Sequence, residues 1–476
     1  MIVLLDKDDP DKAPLRMHLV DTHTHLGKEE VVRGKGKDYR IIRPKDHLDF
    51  YEKLKFDLFK RMDDYPEDFA YKPPSTAKMF SPPATRLQKI IFEEQRKTQN
   101  LGWLADKIVS FPLHDILLAK TSPKFVKSND YIITRAQTFE YGSRLVPFCR
   151  VDPMDGEAAI AEIKRCSEHG ARGLKLHPLS EKWLDEIVSE KVFAVVQIAI
   201  EHRLPVIFDC QNYQTAQEIH QVTMTVRERT NVKDFTIIIG HFGFDYQTPG
   251  MFEILDDPNI KTETSGMRGD DCEIFYRNCM NLTETWEQST MYGTDHNYFS
   301  VPQASDHLSF LFSYKAKEMG ITEEHLKRVL GLNALKNLKI YWPTKVIQRK
   351  GINDTKVSWN DFNRIKKCKT QGKLAEVITE LCSKSGVYFN TDFLFDPSGE
   401  KIFDELYILN VFADIIDLRR SFVVQNLEAN AVKVSEVTKL VEAANKITEI
   451  LEEQTEEYPF TTQYLFNYLL HQKPKG

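Results

Sequence analysis

The sequence predicts an α/β fold, a (β/α)8 TIM barrel with an insertion after the first strand and an all-helical extension at the carboxyl end. Short apolar runs suited to strands alternate with segments of helical apolar spacing, which is typical of a parallel sheet. There are eight such runs, and residues 17–340 without the insertion approach the roughly 250 residues that a barrel uses. A doubly wound open sheet is the alternative, but no Gly-x-Gly-x-x-Gly nucleotide-binding motif follows a strand.

The first predicted strand ends in the sequence Val20-Asp21-Thr22-His23-Thr24-His25. Helical patterns, for instance at 156–169 and 190–203, separate most of the later strands. Those seven strands are predicted at 106–111, 144–150, 172–177, 204–209, 235–241, 259–265 and 289–295.

The insertion covers about residues 27–100. It begins with a basic loop and continues with a helix predicted from residue 46 to about 62, because apolar residues recur there every three or four positions. A Pro-rich connector at 72–83 excludes helix and central strand, and a second helix is predicted near 85–104. Long insertions after a strand often cover an active site. A surface elaboration or a dimer contact explains this insertion equally well.

Two domains are predicted, the barrel at 1–344 and a helical domain at 345–476. Amphipathic patterns in the second domain indicate helices near 374–382, 406–422 and 437–451. The third pattern has a heptad-like spacing that suits a coiled-coil dimer, although barely two heptads are more typical of a face packed within one chain.

Composition excludes several classes of function. The net charge is -6 and basic residues are scattered, so we expect no binding to nucleic acid. Seven cysteines without a Cys-x-x-Cys pair indicate neither a disulfide framework nor a zinc knuckle, and favour a reducing cytoplasm. No signal peptide and no apolar run of 18 residues is present, so we expect a cytoplasmic protein without membrane contact. The partners expected are a small-molecule substrate and a second copy in a homodimer.

Residues that bind metals or transfer protons recur at the strand ends. The carboxyl ends of all barrel strands meet around one opening, so these side chains converge although they are distant in sequence. Histidine and carboxylate together, with one position left for water, make an open catalytic metal site, and a bound divalent ion lowers the pKa of water from 15.7 to about 7. Asp295 is suited both to hold the metal and to accept the proton of that water. The residues are His23, His25, Arg150, Lys175, His177, Asp209, His241 and Asp295.

Five segments of the sequence carry a family resemblance. They are His-Thr-His at 23–25, GLKLHP at 173–178, IIIGHFG at 237–243, YGTD at 292–295 and GLNALKNL at 331–338. Together they resemble the amidohydrolase superfamily, and most closely its branch of amidohydrolase-related decarboxylases and lactone hydrolases. The resemblance runs over about residues 17–340 and leaves out the carboxyl-terminal extension. It implies one or two divalent ions, zinc first and manganese or iron as alternatives. The implied ligands are His23, His25 and Asp295, with His241 either binding a second ion or polarising the substrate.

Two positions depart from the family pattern or leave alternatives open. The family usually has histidine at the end of the fifth strand, where this chain has Asp209, an oxygen ligand that favours a harder metal. Lys175 lies where two-metal members carry a carboxylated lysine, but an ammonium group paired with Asp209 or Asp295 is an equal alternative.

Two further residues are predicted to bind substrate. Arg150 suits a substrate carboxylate because its guanidinium group matches that geometry, or it forms an internal ion pair with Asp152 or another acid. His177 is predicted to face the same pocket, although it also suits the loop before Pro178.

The sequence therefore predicts a metal-dependent hydrolase that uses activated water on an amide, lactone or ester carbonyl. Asp295 and His241 are its predicted catalytic groups, with His241 or Lys175 polarising the carbonyl. A metal-dependent non-oxidative decarboxylase on the same scaffold is one alternative. A degenerate barrel that acts as a binding scaffold is another.

Overall fold

A computed structural model describes residues 2–12, 15–33, 36–73, 104–113, 124–136, 145–338 and 364. The helix predicted near 85–104 and the helical domain predicted at 345–476 lie almost entirely outside the described residues. In chain order the described strands are β1 (Ile2–Asp6), β2 (Leu15–Met17), β3 (Val20–His25), β4 (Gly27–Arg33), β5 (Gly36–Ile42), β6 (Tyr71–Lys72), β7 (Lys107–Phe111), β8 (Leu145–Arg150), β9 (Gly173–Leu176), β10 (Val206–Phe208), β11 (Ile237–Ile239), β12 (Ile260–Glu263) and β13 (Thr290–Met291).

Eight of these strands form the barrel that the sequence predicts. The sheet order is β3, β7, β8, β9, β10, β11, β12 and β13, and each pair of neighbours is parallel. The barrel closes between its first and last strands, where Thr22 N donates to Tyr292 O at 3.0 Å and Asp295 N donates to His23 O at 2.8 Å. The (β/α)8 fold is therefore confirmed, with all eight predicted strands in place.

Helices cover the outside of this barrel. Strands β10 and β11 consist of apolar residues alone, as expected for strands buried on both faces. The described α-helices are α1 (Pro44–Asp64), α2 (Val126–Ala136), α3 (Glu157–His169), α4 (Pro178–Glu181), α5 (Glu190–Glu201), α6 (Tyr213–Arg229), α7 (Pro249–Ile254), α8 (Asp270–Leu282), α9 (Trp286–Ser289), α10 (Val301–Leu311), α11 (Tyr314–Glu318), α12 (Glu323–Lys327) and α13 (Asn333–Asn337).

Helix α5 shows how the sequence sets these elements. Ser189 precedes it, and the Ser189 hydroxyl accepts a hydrogen bond from the backbone N–H of Val192, which satisfies a donor of the first turn. Val192, Val196 and Ala199 recur at helical spacing and are wholly buried. The helix therefore begins at its polar cap and buries one apolar face against the barrel.

The insertion differs in part from its prediction. The predicted helix is present as α1, which begins two residues earlier than expected because Pro44 occupies its first turn. The predicted basic loop is wrong, since β4 and β5 form an antiparallel hairpin there. The sequences Val31-Val32 and Ile41-Ile42 explain the hairpin, because β-branched residues favour strands.

Two observations concern the membrane and the redox environment. None of the described helices is long and apolar enough to cross a membrane. The five described cysteines are free and buried, in agreement with a sequence that lacks a disulfide framework. The cytoplasmic location stays a prediction.

Candidate metal centre

Three predicted residues meet at the carboxyl end of the barrel. His23, His241 and Asp295 each offer a ligand atom, and these atoms lie within 4.8 Å of one another. His25 joins them, because its Nε2 is 3.0 Å from Asp295 Oδ1, and His23 Nε2 is 3.6 Å from the same oxygen. The two histidines of β3 therefore face one point, as their spacing predicts.

The donor set tests whether a cation fits here. Asp295 Oδ1 is buried and makes no hydrogen bond to any described residue. A buried acceptor left without a partner costs about 1–3 kcal/mol. Burial also lowers the pKa of His23 to about 4, helped by the charge of Lys175, so its imidazole is neutral and can offer a lone pair. Neutral imidazole and carboxylate around an unsatisfied oxygen fit a divalent ion.

Glu263 at the end of β12 holds two of these groups in place. His23 Nδ1 donates to its Oε1 at 2.8 Å, and the backbone N–H of His241 donates to the same oxygen at 2.6 Å. Ser265 N donates to Oε2 at 2.7 Å. Burial opposes ionisation of Glu263, but His23 and His241 outweigh it and hold the pKa of this carboxyl well below its usual range. A proton on His23 Nδ1 leaves Nε2 turned toward the cluster.

Sequence reasoning missed Glu263. The residue lies in the predicted strand 259–265, NIKTETS, where threonines flank it. A lone carboxylate at the end of a barrel strand was the available signal, since polar side chains there converge on the opening.

The segment that carries His241 has an uncommon backbone. His241, Phe242, Gly243 and Phe244 all have positive φ, between 47° and 61°. The left-handed region costs about 1–2 kcal/mol for each residue with a side chain. The turn brings His241 Nδ1 to 2.8 Å from Ser265 Oγ and Nε2 to 3.3 Å from Asp209 Oδ2. Strain of this kind persists where surrounding structure enforces it, often at functional sites.

Comparison with known proteins finds a family match for part of the chain. Residues 120–340 match the family model described as amidohydrolase. The predicted resemblance to the amidohydrolase superfamily is therefore confirmed over residues 120–340. No curated protein matches the sequence.

Two solved structures are similar to this chain at low sequence identity. A 5-carboxyvanillate decarboxylase from Sphingomonas paucimobilis is 13% identical with a TM-score of 0.40, covering 68% of this chain and 99% of its own. An amidohydrolase from Burkholderia multivorans with bound zinc is 10% identical with a TM-score of 0.38, at the same coverages. The decarboxylase activity belongs to the first of these proteins and the bound zinc to the second.

Asp209 occupies the position where amidohydrolases usually have histidine. Its Oδ2 lies 3.3 Å from His241 Nε2 and 3.2 Å from His177 Nε2, and its Oδ1 accepts from Gln211. Burial opposes protonation of His241, but the hydrogen bond to Asp209 and the charge of Glu263 raise its pKa to about 9. Asp209 thus contacts the cluster through His241, and its own metal ligation stays a prediction.

Lys175 is wholly buried beside His23. Its Nζ lies 3.4 Å from His23 Nε2 and 4.7 Å from the centre of the Phe111 ring. Among the described residues no carboxylate oxygen lies within 4.0 Å of this nitrogen, so the predicted ion pairs with Asp209 or Asp295 are not formed. Burial lowers the pKa of Lys175 although nearby carboxylates oppose it. A less basic amine is what carboxylation needs, and that modification stays a prediction.

Arg150 forms an internal ion pair, which was the predicted alternative to binding a substrate carboxylate. The partner is Glu181, which accepts from Arg150 Nε at 2.8 Å, and not Asp152, which pairs with Lys124. Ser180 Oγ accepts from Arg150 at 2.6 Å. A substrate carboxylate would compete with these contacts, so binding of substrate by Arg150 stays a prediction.

Proposed function

We propose that this protein is a metal-dependent hydrolase that adds water to the carbonyl carbon of a small-molecule amide, lactone or ester. The observation that carries the proposal is the convergence of His23, His241 and Asp295, with His25 beside them and an unsatisfied oxygen at the centre. The match of residues 120–340 to the amidohydrolase family model supports an enzyme on this fold.

The protein's own residues have distinct roles in this proposal. A divalent ion held by His23, His25 and Asp295, zinc first and manganese or iron as alternatives, would supply Lewis acidity toward water and the carbonyl oxygen. Burial raises the pKa of Asp295, which makes its carboxylate a better acceptor for the proton of the attacking water. When it does not bind the ion, His241 polarises the carbonyl by its positive charge, which its contact with Asp209 favours. Glu263 keeps His23 in one tautomer throughout.

The position of Lys175 favours an enzyme over a binding scaffold. A degenerate barrel is expected to fill the mouth with an ion pair between this lysine and Asp209 or Asp295. In the described part of the chain Lys175 makes neither pair, and the carboxylate oxygen of Asp295 stays available. The same residues also suit a non-oxidative decarboxylase, which the test below separates from a hydrolase.

Metal analysis of the purified full chain tests the proposal. We expect wild type to bind one or two zinc ions in equilibrium dialysis, and the His23→Ala, His25→Ala double variant to bind at least a hundredfold more weakly. A matched control is the His169→Ala, His202→Ala variant, since these histidines end helices α3 and α5 at the opposite face of the barrel. Equal zinc binding in both double variants would contradict the proposal.

Turnover then distinguishes the reactions. A panel of esters, lactones and amides should be hydrolysed by wild type and not by the His23→Ala, His25→Ala variant. Release of carbon dioxide from an unsaturated or aromatic acid, without any hydrolysis, would instead identify a decarboxylase.

A further inference from the structure

Helix α1, which belongs to the insertion, is hydrogen-bonded to the strand that carries His23 and His25. Tyr51 on α1 donates from its hydroxyl to Asp21 Oδ2 at 2.6 Å, and both side chains are wholly buried. Asp21 lies on β3, and its Oδ1 accepts from the backbone N–H of His23 at 3.1 Å. The insertion therefore reaches the backbone of a predicted metal ligand through a single carboxylate.

The same carboxylate also holds the end of the last barrel strand. Thr294 donates from its hydroxyl to Asp21 Oδ2 at 2.5 Å and from its backbone N–H to Oδ1 at 3.0 Å. The next residue is Asp295, whose carboxylate lies in the metal cluster. Asp21 thus fixes the backbone on both sides of the cluster, next to His23 and next to Asp295.

The two carboxylate oxygens of Asp21 share four hydrogen-bond donors equally. Each oxygen accepts two hydrogen bonds, which a wholly buried carboxylate needs because it has no access to water. Without the Tyr51 hydroxyl, Oδ2 of Asp21 keeps only the hydrogen bond from Thr294. The carboxylate is then stabilised by rotating toward another hydrogen-bond donor. Such a rotation pulls on the N–H groups of His23 and Thr294 and so displaces the two ligand side chains.

We propose that Tyr51 and Asp21 are positioning residues for the candidate metal centre, and that docking of helix α1 and metal binding strengthen each other. The inference rests on the proposed function only in requiring that an ion binds at His23 and Asp295. Partners that orient metal ligands contribute about 10- to 100-fold to metal affinity. Coupling between two binding events is reciprocal, so the ion stabilises docked α1 by the factor by which docking raises metal affinity.

Removal of one hydroxyl tests the proposal. In Tyr51→Phe we expect zinc affinity, measured by chelator competition, to fall by about tenfold or more, and the visible spectrum of the cobalt-loaded protein to change. Tyr292→Phe is the matched control, because Tyr292 is equally buried but its hydroxyl bonds to none of the described residues. The control should change zinc affinity less than twofold.

Two further measurements separate positioning from simple packing. Thr294→Val removes the other hydroxyl donor from Asp21 Oδ2 without touching α1, and we expect the same loss of zinc affinity. In wild type, zinc should slow hydrogen exchange of the α1 amides, and it should do so less in Tyr51→Phe.

Each result has a defined meaning. Zinc affinity in Tyr51→Phe and Thr294→Val equal to that of Tyr292→Phe would overturn the inference while leaving the proposed function intact. Exchange of α1 that ignores zinc in wild type would overturn the linkage. A wild-type chain that binds neither zinc nor manganese nor iron would overturn the proposed function itself.

Discussion

Glu263 holds two members of the candidate metal centre, His23 and His241, in place. Its two oxygens accept from His23 Nδ1, from the backbone of His241 and from the backbone of Ser265. In all three hydrogen bonds Glu263 is the acceptor. Only a carboxylate, whose two oxygens both accept, satisfies the three donors together. The charge also offsets the local cost of placing cationic groups in a buried site.

The Glu263→Gln variant should bind metal more weakly. The amide NH2 must face one of the three donors, and the resulting shift changes the orientation of His23 or His241. We expect zinc affinity to fall by about 10- to 100-fold in chelator competition, with turnover falling at limiting zinc. Glu162→Gln is the control, since this buried glutamate on α3 binds Arg165 and Asn129 away from the cluster. Equal affinity in the two variants would contradict the role of Glu263.

At this scale the sequence predicted the residues of the cluster better than the residues that hold them in place. His23, His25, His241 and Asp295 were predictable because side chains at the ends of barrel strands converge whatever their separation in sequence. The partner of Arg150 was not, because Glu181 follows the fourth strand on a short helix whose direction the sequence does not specify.

Helix α6 is tied to the start of strand β12 by one carboxylate. Asp257 accepts from His220 Nε2 at 3.1 Å and from Arg227, both on α6, and from the backbone N–H of Asn259 at 2.9 Å. Burial opposes ionisation of Asp257, but the hydrogen bonds from His220 and Arg227 outweigh it and hold its pKa well below the usual range.

This shift predicts how stability depends on pH. A carboxyl whose folded pKa lies below its unfolded value of about 3.9 stabilises the fold fully above that pH, and the contribution is lost as pH falls toward the folded pKa. Asp257→Asn should therefore lower the free energy of unfolding by about 1–3 kcal/mol at pH 7. In urea denaturation the difference from wild type should shrink below about pH 4. A difference that grows in acid would contradict the assignment.

Helices and strands were predictable where burial determined the spacing of their apolar residues. The eight barrel strands follow from apolar runs between helical patterns, although the structure makes several shorter, such as β13 with its two residues. The hairpin of β4 and β5 was missed because its basic residues hide the strand pattern. Strands β1, β2 and β6 were missed because they are short and pair only with one another.

Across the whole molecule, the candidate metal centre lies at the seam where the barrel closes. His23 and His25 belong to the first barrel strand, whereas Asp295 follows the last one. Backbone hydrogen bonds join these strands at the same place, for instance from Asp295 N to His23 O at 2.8 Å. An ion held by residues on both sides would crosslink the first and last strands of the barrel.

Zinc should therefore stabilise the folded barrel, because the unfolded chain does not bring these ligands together. An ion present at a hundred times its dissociation constant adds about 2.7 kcal/mol to the free energy of unfolding. Since each kcal/mol raises the melting temperature of domains of 150–250 residues by about 2–4 °C, we expect a rise of several degrees in scanning calorimetry. A chelator should reverse the rise, and His23→Ala, His25→Ala should not show it. An equal rise in that variant would place the stabilising ion elsewhere.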